Sequence, residues 1–152
     1  DVPQEHFTVP FGKAKVVREG VDLTIVASSV MVFESLKAAE VLSRDGINIE
    51  VIDPVTIQPL DERTILDSVR KTGRLICADT SWLRCGFSAE VAAVIAENIP
   101  ECLKAPVKRI GFPECPSPVS KALEDVFFPS YKDIAQAAYD VLARKAGIDI
   151  PN

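Results

Sequence analysis

Short apolar runs alternate with helical stripes along this chain, and turn residues separate them. Ala14 to Arg18 and Asp22 to Ala27 are two such runs, divided by Glu19-Gly20-Val21, and together they predict a hairpin at an antiparallel sheet edge. Ser28 and Ser29 offer an N-cap for a helix. Its stripe is Val32, Phe33, Leu36, Ala39 and Leu42, and Gly46 stops it. Ile47, Ile49 and Val51 alternate, Ile52 adds to them, and Pro54 ends the strand. Asp61 caps the next helix, which buries Ile65, Leu66 and Val69 and closes at Gly73. Arg74 to Ala78 reads as a strand buried on both faces, broken by Asp79 to Ser81 and by Gly86. Ser88 is the expected cap of the helix that follows, with Glu90 in its first turn and a close-packing face of Ala89, Ala92, Ala93 and Ala96. That helix ends near Pro100. Val107 to Ile110 is a fifth strand, and Gly111 to Pro118 a rigid proline-rich loop. Ser120 to Val126 suggests a short helix. Ile134, Ala137, Ala138, Val141 and Leu142 mark the last one, with Gly147 as its stop.

Strands alternating with helices imply an α/β fold. The expected architecture is a three-layer α/β/α sandwich on a five-stranded, mainly parallel sheet with one antiparallel edge strand. Residues 1–13 read as a linker or arm from a preceding domain, 14–146 as the domain and 147–152 as a tail.

Composition narrows the function. The 152 residues suit one core, and 47% hydrophobic with 26% charged is ordinary for a globular domain. The net charge of −5 leaves no nucleic-acid footprint, and no apolar run is long enough for a membrane span. The polar start Asp-Val-Pro-Gln-Glu-His is no signal peptide, and the missing initiator Met implies processing or excision from a longer protein. Cys77, Cys85, Cys102 and Cys115 form no C-x-x-C pair, and the one histidine, His6, lies far off in sequence. Reduced thiols in an intracellular protein are expected, with no zinc site.

Catalytic groups are scarce. There is no G-x-G-x-x-G and no P-loop, so a phosphate cradle is not expected. His6 in an arm is a poor base for a nucleophile. Cys85 beside Arg84 is a conceivable redox thiol, with an incidental loop cysteine as the simpler reading. Asp61-Glu62 and Glu124-Asp125 sit where capping and solvation account for them. Trp82, the sole tryptophan, either anchors a partner or folds back on the domain. Of Phe127 and Phe128, one is free to face another chain. No catalytic and no metal-binding residue is assigned. The residues point to a structural or docking module.

Several segments carry a likeness. Val9-Pro10-Phe11-Gly12-Lys13-Ala14, Asp22-Leu23-Thr24-Ile25-Val26-Ala27 with Met31-Val32, and Glu50-Val51-Ile52-Asp53 occur in order. Pro59-Leu60-Asp61, Lys71-Thr72-Gly73-Arg74-Leu75, Gly86-Phe87-Ser88-Ala89-Glu90-Val91, Ala105-Pro106-Val107 and Leu123-Glu124-Asp125 follow. From Pro10 almost to Leu142 the chain thus resembles the C-terminal domain of the β subunit of thiamine-diphosphate-dependent 2-oxo-acid (pyruvate-type) dehydrogenases. More broadly it resembles the transketolase C-terminal domain. The resemblance implies an oxidoreductase fragment, inactive alone, whose parent uses thiamine diphosphate and magnesium. This domain would bind neither and would serve assembly with an α subunit and a second β subunit. The acyltransferase core is a further possible partner. The implied setting is the bacterial cytoplasm, or a mitochondrial matrix or plastid.

The chain departs from the family pattern at Val55, where an arginine is usual, at Lys104, where an aspartate often helps hold the core, and at Ser88, which replaces a glycine. A lysine at 104 would repel a basic partner face. The expected interface residues are Asp79, Trp82, Arg84, Phe87, Lys104 and Phe128. Two other readings stay open: part of a split transketolase-type transferase, and a stand-alone protein-binding module.

Overall fold

A computed structural model describes residues 4–143. Five strands form one sheet: β1 (Lys15–Arg18), β2 (Leu23–Ala27), β3 (Ile49–Asp53), β4 (Leu75–Trp82) and β5 (Lys108–Phe112), in the spatial order β1-β3-β2-β4-β5. β2 pairs in parallel with β3 and β4, and β4 in parallel with β5. β1 runs antiparallel at the edge, with Lys15 opposite Asp53. The expected mainly parallel sheet with one antiparallel edge is therefore present.

Helices cover both faces. α1 (Val30–Ser43) and α5 (Tyr131–Val141) lie on one side, where Met31, Ala38, Leu42, Ile134 and Tyr139 pack on Leu23, Ile25 and Ile49. α2 (Glu62–Thr72) and α3 (Phe87–Asn98) lie on the other, bringing Ile65, Val69, Val91 and Ile95 against Val26, Ile52 and Cys77. This double cover explains why β2 is fully buried and apolar except at Thr24, whose hydroxyl bonds to Ser68 and Thr72. Each large aliphatic side chain so buried contributes roughly 1.5–3 kcal/mol. A 3-10 turn, Pro100–Cys102, and the short α4 (Lys121–Phe127) are the remaining elements among the described residues.

The expected caps hold for α2. Asp61 accepts from Thr64 N–H, and Gly73 ends the helix at φ +74° in the left-handed region. Burial alone would raise the Asp61 pKa, but donation from Ala14 N–H and Thr64 outweighs it and holds the carboxyl below its ordinary value. Ser130 caps α5, and its N–H donates to Asp133 at 2.8 Å.

Other expectations are corrected. Ala14–Arg18 and Asp22–Ala27 do not form a hairpin, because β1 pairs with β3 instead. β4 does not stop at Ala78 but runs on to Trp82, since Asp79 finds its partners within the strand-helix turn. Ser88 does not cap α3: Gly86 holds the cap position and Ser88 lies in the first turn. Ser29 precedes α1 without a side-chain cap bond. Phe33 is 68% exposed; α1 buries Met31, Ser35 and Ala38 in its place. α3 faces the core with Val91, Val94 and Ile95 rather than with its alanines. β5 starts one residue later than expected and extends to Phe112. The Gly147 stop and the tail lie outside the described residues.

Candidate functional site

The crossover from β2 through α1 leads to β3 on one side, and that from β4 through α3 leads to β5 on the other. β2 and β4 are neighbours, so a crevice must open between their carboxyl ends. A cleft of about 950 Å³ lies there, lined by Ser28 and Ser29 after β2, Asp53 to Val55 and Ile57 at the end of β3 and beyond it, and, around the turn into α3, Asp79 to Ser81, Cys85 to Phe87, Ala89 and Glu90.

Three of its lining residues are non-glycines held at positive φ: Ser29 at 55°, Val55 at 60° and Cys85 at 55°. Val55 is the costliest, because a β-branched side chain crowds its own backbone there. Around it, Thr56 N–H donates to Pro54 O at 2.6 Å, which closes a three-residue turn. Asp53 Oδ1 accepts from Val55 N–H at 2.9 Å and fixes the turn further. Strain of this sort persists only where the surroundings enforce it.

Asp79 organises the other wall. It is 2% exposed, accepts from Ser81 N–H and Ser81 Oγ–H, and accepts from Ser88 N–H at 2.9 Å. It thus satisfies an N-terminal donor of α3 that Gly86, lacking a side chain, cannot. Gly86 itself is dictated by close approach, since a Cβ there would run into Trp82 O and Ser81 Oγ. The hydroxyl of Ser88 is buried without a hydrogen-bond partner.

The side-chain set does not fit a diphosphate-bearing cofactor. The charged residues lining the cleft are Asp53, Glu90 and the buried Asp79, and among the described residues no lysine or arginine lines it. Among the described residues no group of three His, Cys, Asp or Glu is placed to hold a metal ion.

The expected interface residues fall in different places. Asp79 is buried and committed to the α3 cap, so its carboxylate is not a surface group. Trp82 at the end of β4 is 57% exposed. Arg84 pairs with Glu114 across exposed loops at 2.7 Å. Phe87 is half-buried against the core of α2 and α3. Phe128 stays half-exposed while stacking with Phe112 and the buried Phe127, with ring centroids 5.2 and 5.3 Å away. These residues share the carboxyl end of the sheet. Lys104 does not. It lies on the opposite side, before β5, and its Nζ donates to Thr72 O at 3.3 Å, at the carbonyl end of α2.

Sequence reasoning missed further exposed apolar groups at the carboxyl end: Val30 and Phe33 at the start of α1, Val55 and Ile57 after β3, and Leu123 and Val126 on α4. The available signal was Val55 and Ile57, apolar residues set between Pro54 and Pro59 where a turn needs none. The arm adds Phe7, Val9 and Phe11, and enters at the same end, where Gly12 N–H donates to Thr56 Oγ1. Val21, before β2, is an exposed apolar residue at the other end.

The family described as "Transketolase, C-terminal domain" matches residues 12–134. The chain is 45% identical over 142 residues to the pyruvate dehydrogenase E1 component subunit beta of Bacillus subtilis, covering 93% of this chain and 43% of that protein. It is 40% identical over 146 residues to the acetoin:2,6-dichlorophenolindophenol oxidoreductase subunit beta of the same organism, covering 96% and 43%. A solved structure titled "Split gene transketolase, inactive beta4 tetramer" superposes with a TM-score of 0.80 at 28% identity, over 92% of this chain and 45% of that one. The chain therefore spans less than half the length of these relatives. On the strength of the family match, it belongs to the transketolase C-terminal domain family.

Proposed function

We propose that this domain is the assembly part of the β subunit of a thiamine-diphosphate-dependent 2-oxo-acid dehydrogenase. It holds the subunit against an α subunit and a second β subunit, and supplies no reacting group itself. The observation that carries the reading is the one-sided surface. Val30, Phe33, Val55, Ile57, Trp82 and Phe128 all leave apolar area open at the carboxyl end of the sheet. Apolar area gathered in one region marks a contact surface, whereas scattered single residues do not. The two Bacillus subtilis relatives support the enzyme class, since both are named as β subunits of oxidoreductases. We place the protein in the bacterial cytoplasm, or in the mitochondrial matrix or a plastid; one relative is named as mitochondrial. Docking of an acyltransferase core through residue 104 is disfavoured by the cationic Lys104.

A second reading, part of a split transketolase, draws on the inactive β tetramer. Its title describes β chains that assemble without activity. Both readings give the domain the same task. They differ in substrate, an oxo acid against a sugar phosphate.

The test is Trp82→Ala in the full subunit. Sedimentation analysis should show association weakened about tenfold or more, as for a buried aromatic anchor. Thermal stability of the subunit should hardly change. Unaltered association would refute the assignment of Trp82 to the interface.

A further inference from the structure

We propose that Cys85 and Cys115 form a reversible disulfide that ties the loop after β4 to the loop after β5 under oxidising conditions. Trp82 and Phe112 are paired across the parallel strands. Each strand then leaves the sheet, and each chain meets a cysteine after the same number of residues: Trp82-Leu83-Arg84-Cys85 and Phe112-Pro113-Glu114-Cys115. The residues just before the two thiols already meet, because Arg84 Nε and Glu114 Oε1 lie 2.7 Å apart. A second tie comes from β5, where Arg109 Nη1 donates to Leu83 O at 2.6 Å. These contacts tie the two loops together; Cys85 lines the cleft and Cys115 the hollow beside Trp82, so the bond would join the rims of the two.

The remaining cysteines are unsuited. Cys77 is fully buried within β4, and burial pushes its thiol far above the ordinary range. Cys102 is half-buried in the turn before β5, at the other end of the sheet. Cys85 and Cys115 are both free and exposed. Closing the bond draws in the rim of the shallow hollow of about 350 Å³ between Trp82, Arg84, Glu114 and Cys115. The redox state would then set how Trp82 is presented.

The oxidant is a small-molecule disulfide, and the chemistry is exchange. One protein thiolate attacks a sulfur of the disulfide and releases one small thiol. The second protein thiolate attacks the mixed disulfide and releases the other. Two protein thiols lose two protons and two electrons, and one S–S bond is exchanged for another.

The experiment treats the full chain with glutathione disulfide and maps peptides without reduction. The expected product is a Cys85–Cys115 cross-linked peptide, two hydrogens lighter than the sum of its parts, together with a changed Trp82 emission that dithiothreitol reverses. Cys85→Ser and Cys115→Ser should each abolish both signals. Separate glutathione adducts on the two cysteines, or a bond joining two chains, would overturn the proposal. So would an oxidised chain with free thiols at both positions.

Discussion

Replacing Lys71 with methionine isolates a polar contact between α2 and the sheet. Lys71 on α2 pairs with Glu50 on β3, whose side chain is only 2% exposed. Glu50 also accepts from Ser68 Oγ–H and, at 3.4 Å, from Gly20 N–H. Behind it, Thr24 Oγ1 bonds Ser68 Oγ at 2.7 Å and Thr72 Oγ1 at 2.8 Å, so the sheet and α2 share one polar network. Breaking a fully buried ion pair costs about 3–5 kcal/mol. Here the lysine side chain is 40% exposed and two other donors remain, so the loss is nearer one charge-assisted hydrogen bond, about 2 kcal/mol. In a domain of this size that lowers Tm by roughly 4–8 °C. The pH dependence follows from Glu50. Burial pushes its pKa up, but Lys71 and Ser68 overcome this and hold it below the ordinary value. Its stabilisation is therefore complete above the unfolded-state carboxylate range and is lost as the pH falls through the lowered folded value. Without Lys71 the burial effect is less opposed, so the carboxyl titrates higher and accepts a proton more readily. The gap between the two proteins should be widest near neutral pH and should narrow on acidification. Thermal unfolding followed by circular dichroism across that range reads it directly. Glu50→Gln together with Lys71→Met should recover part of the loss, because no charge is then left buried. A gap that stays constant with pH, or a double variant no better than the single one, would refute the reasoning.

Two other substitutions probe the carboxyl end of the sheet. Ser88→Ala removes a buried hydroxyl with no partner and should stabilise the chain by about 1 kcal/mol, seen as a raised denaturation midpoint; a lowered midpoint would mean that the hydroxyl is bonded. Val55→Gly releases a β-branched residue from φ 60°, a relief of about 1–3 kcal/mol that the entropy of glycine reduces by roughly 0.5–1 kcal/mol. Stability should therefore rise, while association of the full subunit should weaken if Val55 meets a partner. A stabilised variant that associates normally would leave the strain without a contact role.

Elements whose signals are local were legible in the chain. α2 has its acidic cap at Asp61 and its left-handed stop at Gly73, so both ends could be placed from residue type alone. β1 could not. Glu19-Gly20-Val21 looks like a hairpin turn, yet Gly20 serves a different purpose: a Cβ there would strike the backbone of Ile49 and Glu50. That glycine answers to a long-range contact, and sequence adjacency gives no hint of it. β4 overran its expected end for a related reason. Asp79 is polar and so suggested a turn, but its carboxylate is consumed by Ser81 and Ser88 and can remain buried in the strand. At the site, Trp82 stood out by rarity. The positive φ of Val55 had no signal in a residue type that ordinarily avoids it.

The two ends of the sheet invert the usual distribution of polarity. At the amino end, Thr24, Glu50, Ser68 and Thr72 are buried polar groups, and each has a partner. At the carboxyl end, Trp82, Val55, Ile57 and Phe33 are apolar groups left in water. A buried, satisfied network stabilises and orients α2 against the sheet, so its loss falls on folding. Exposed apolar area contributes little to folding, because it is wet in both the folded and unfolded chain, and it gains only when a second surface covers it. The ends should therefore respond separately: Lys71→Met should lower Tm with association per folded chain unchanged, and Trp82→Ala should weaken association with Tm unchanged. Were both variants to shift both quantities, the two ends would be coupled through the core, and the carboxyl end would be part of the folding unit rather than a surface held ready for a partner.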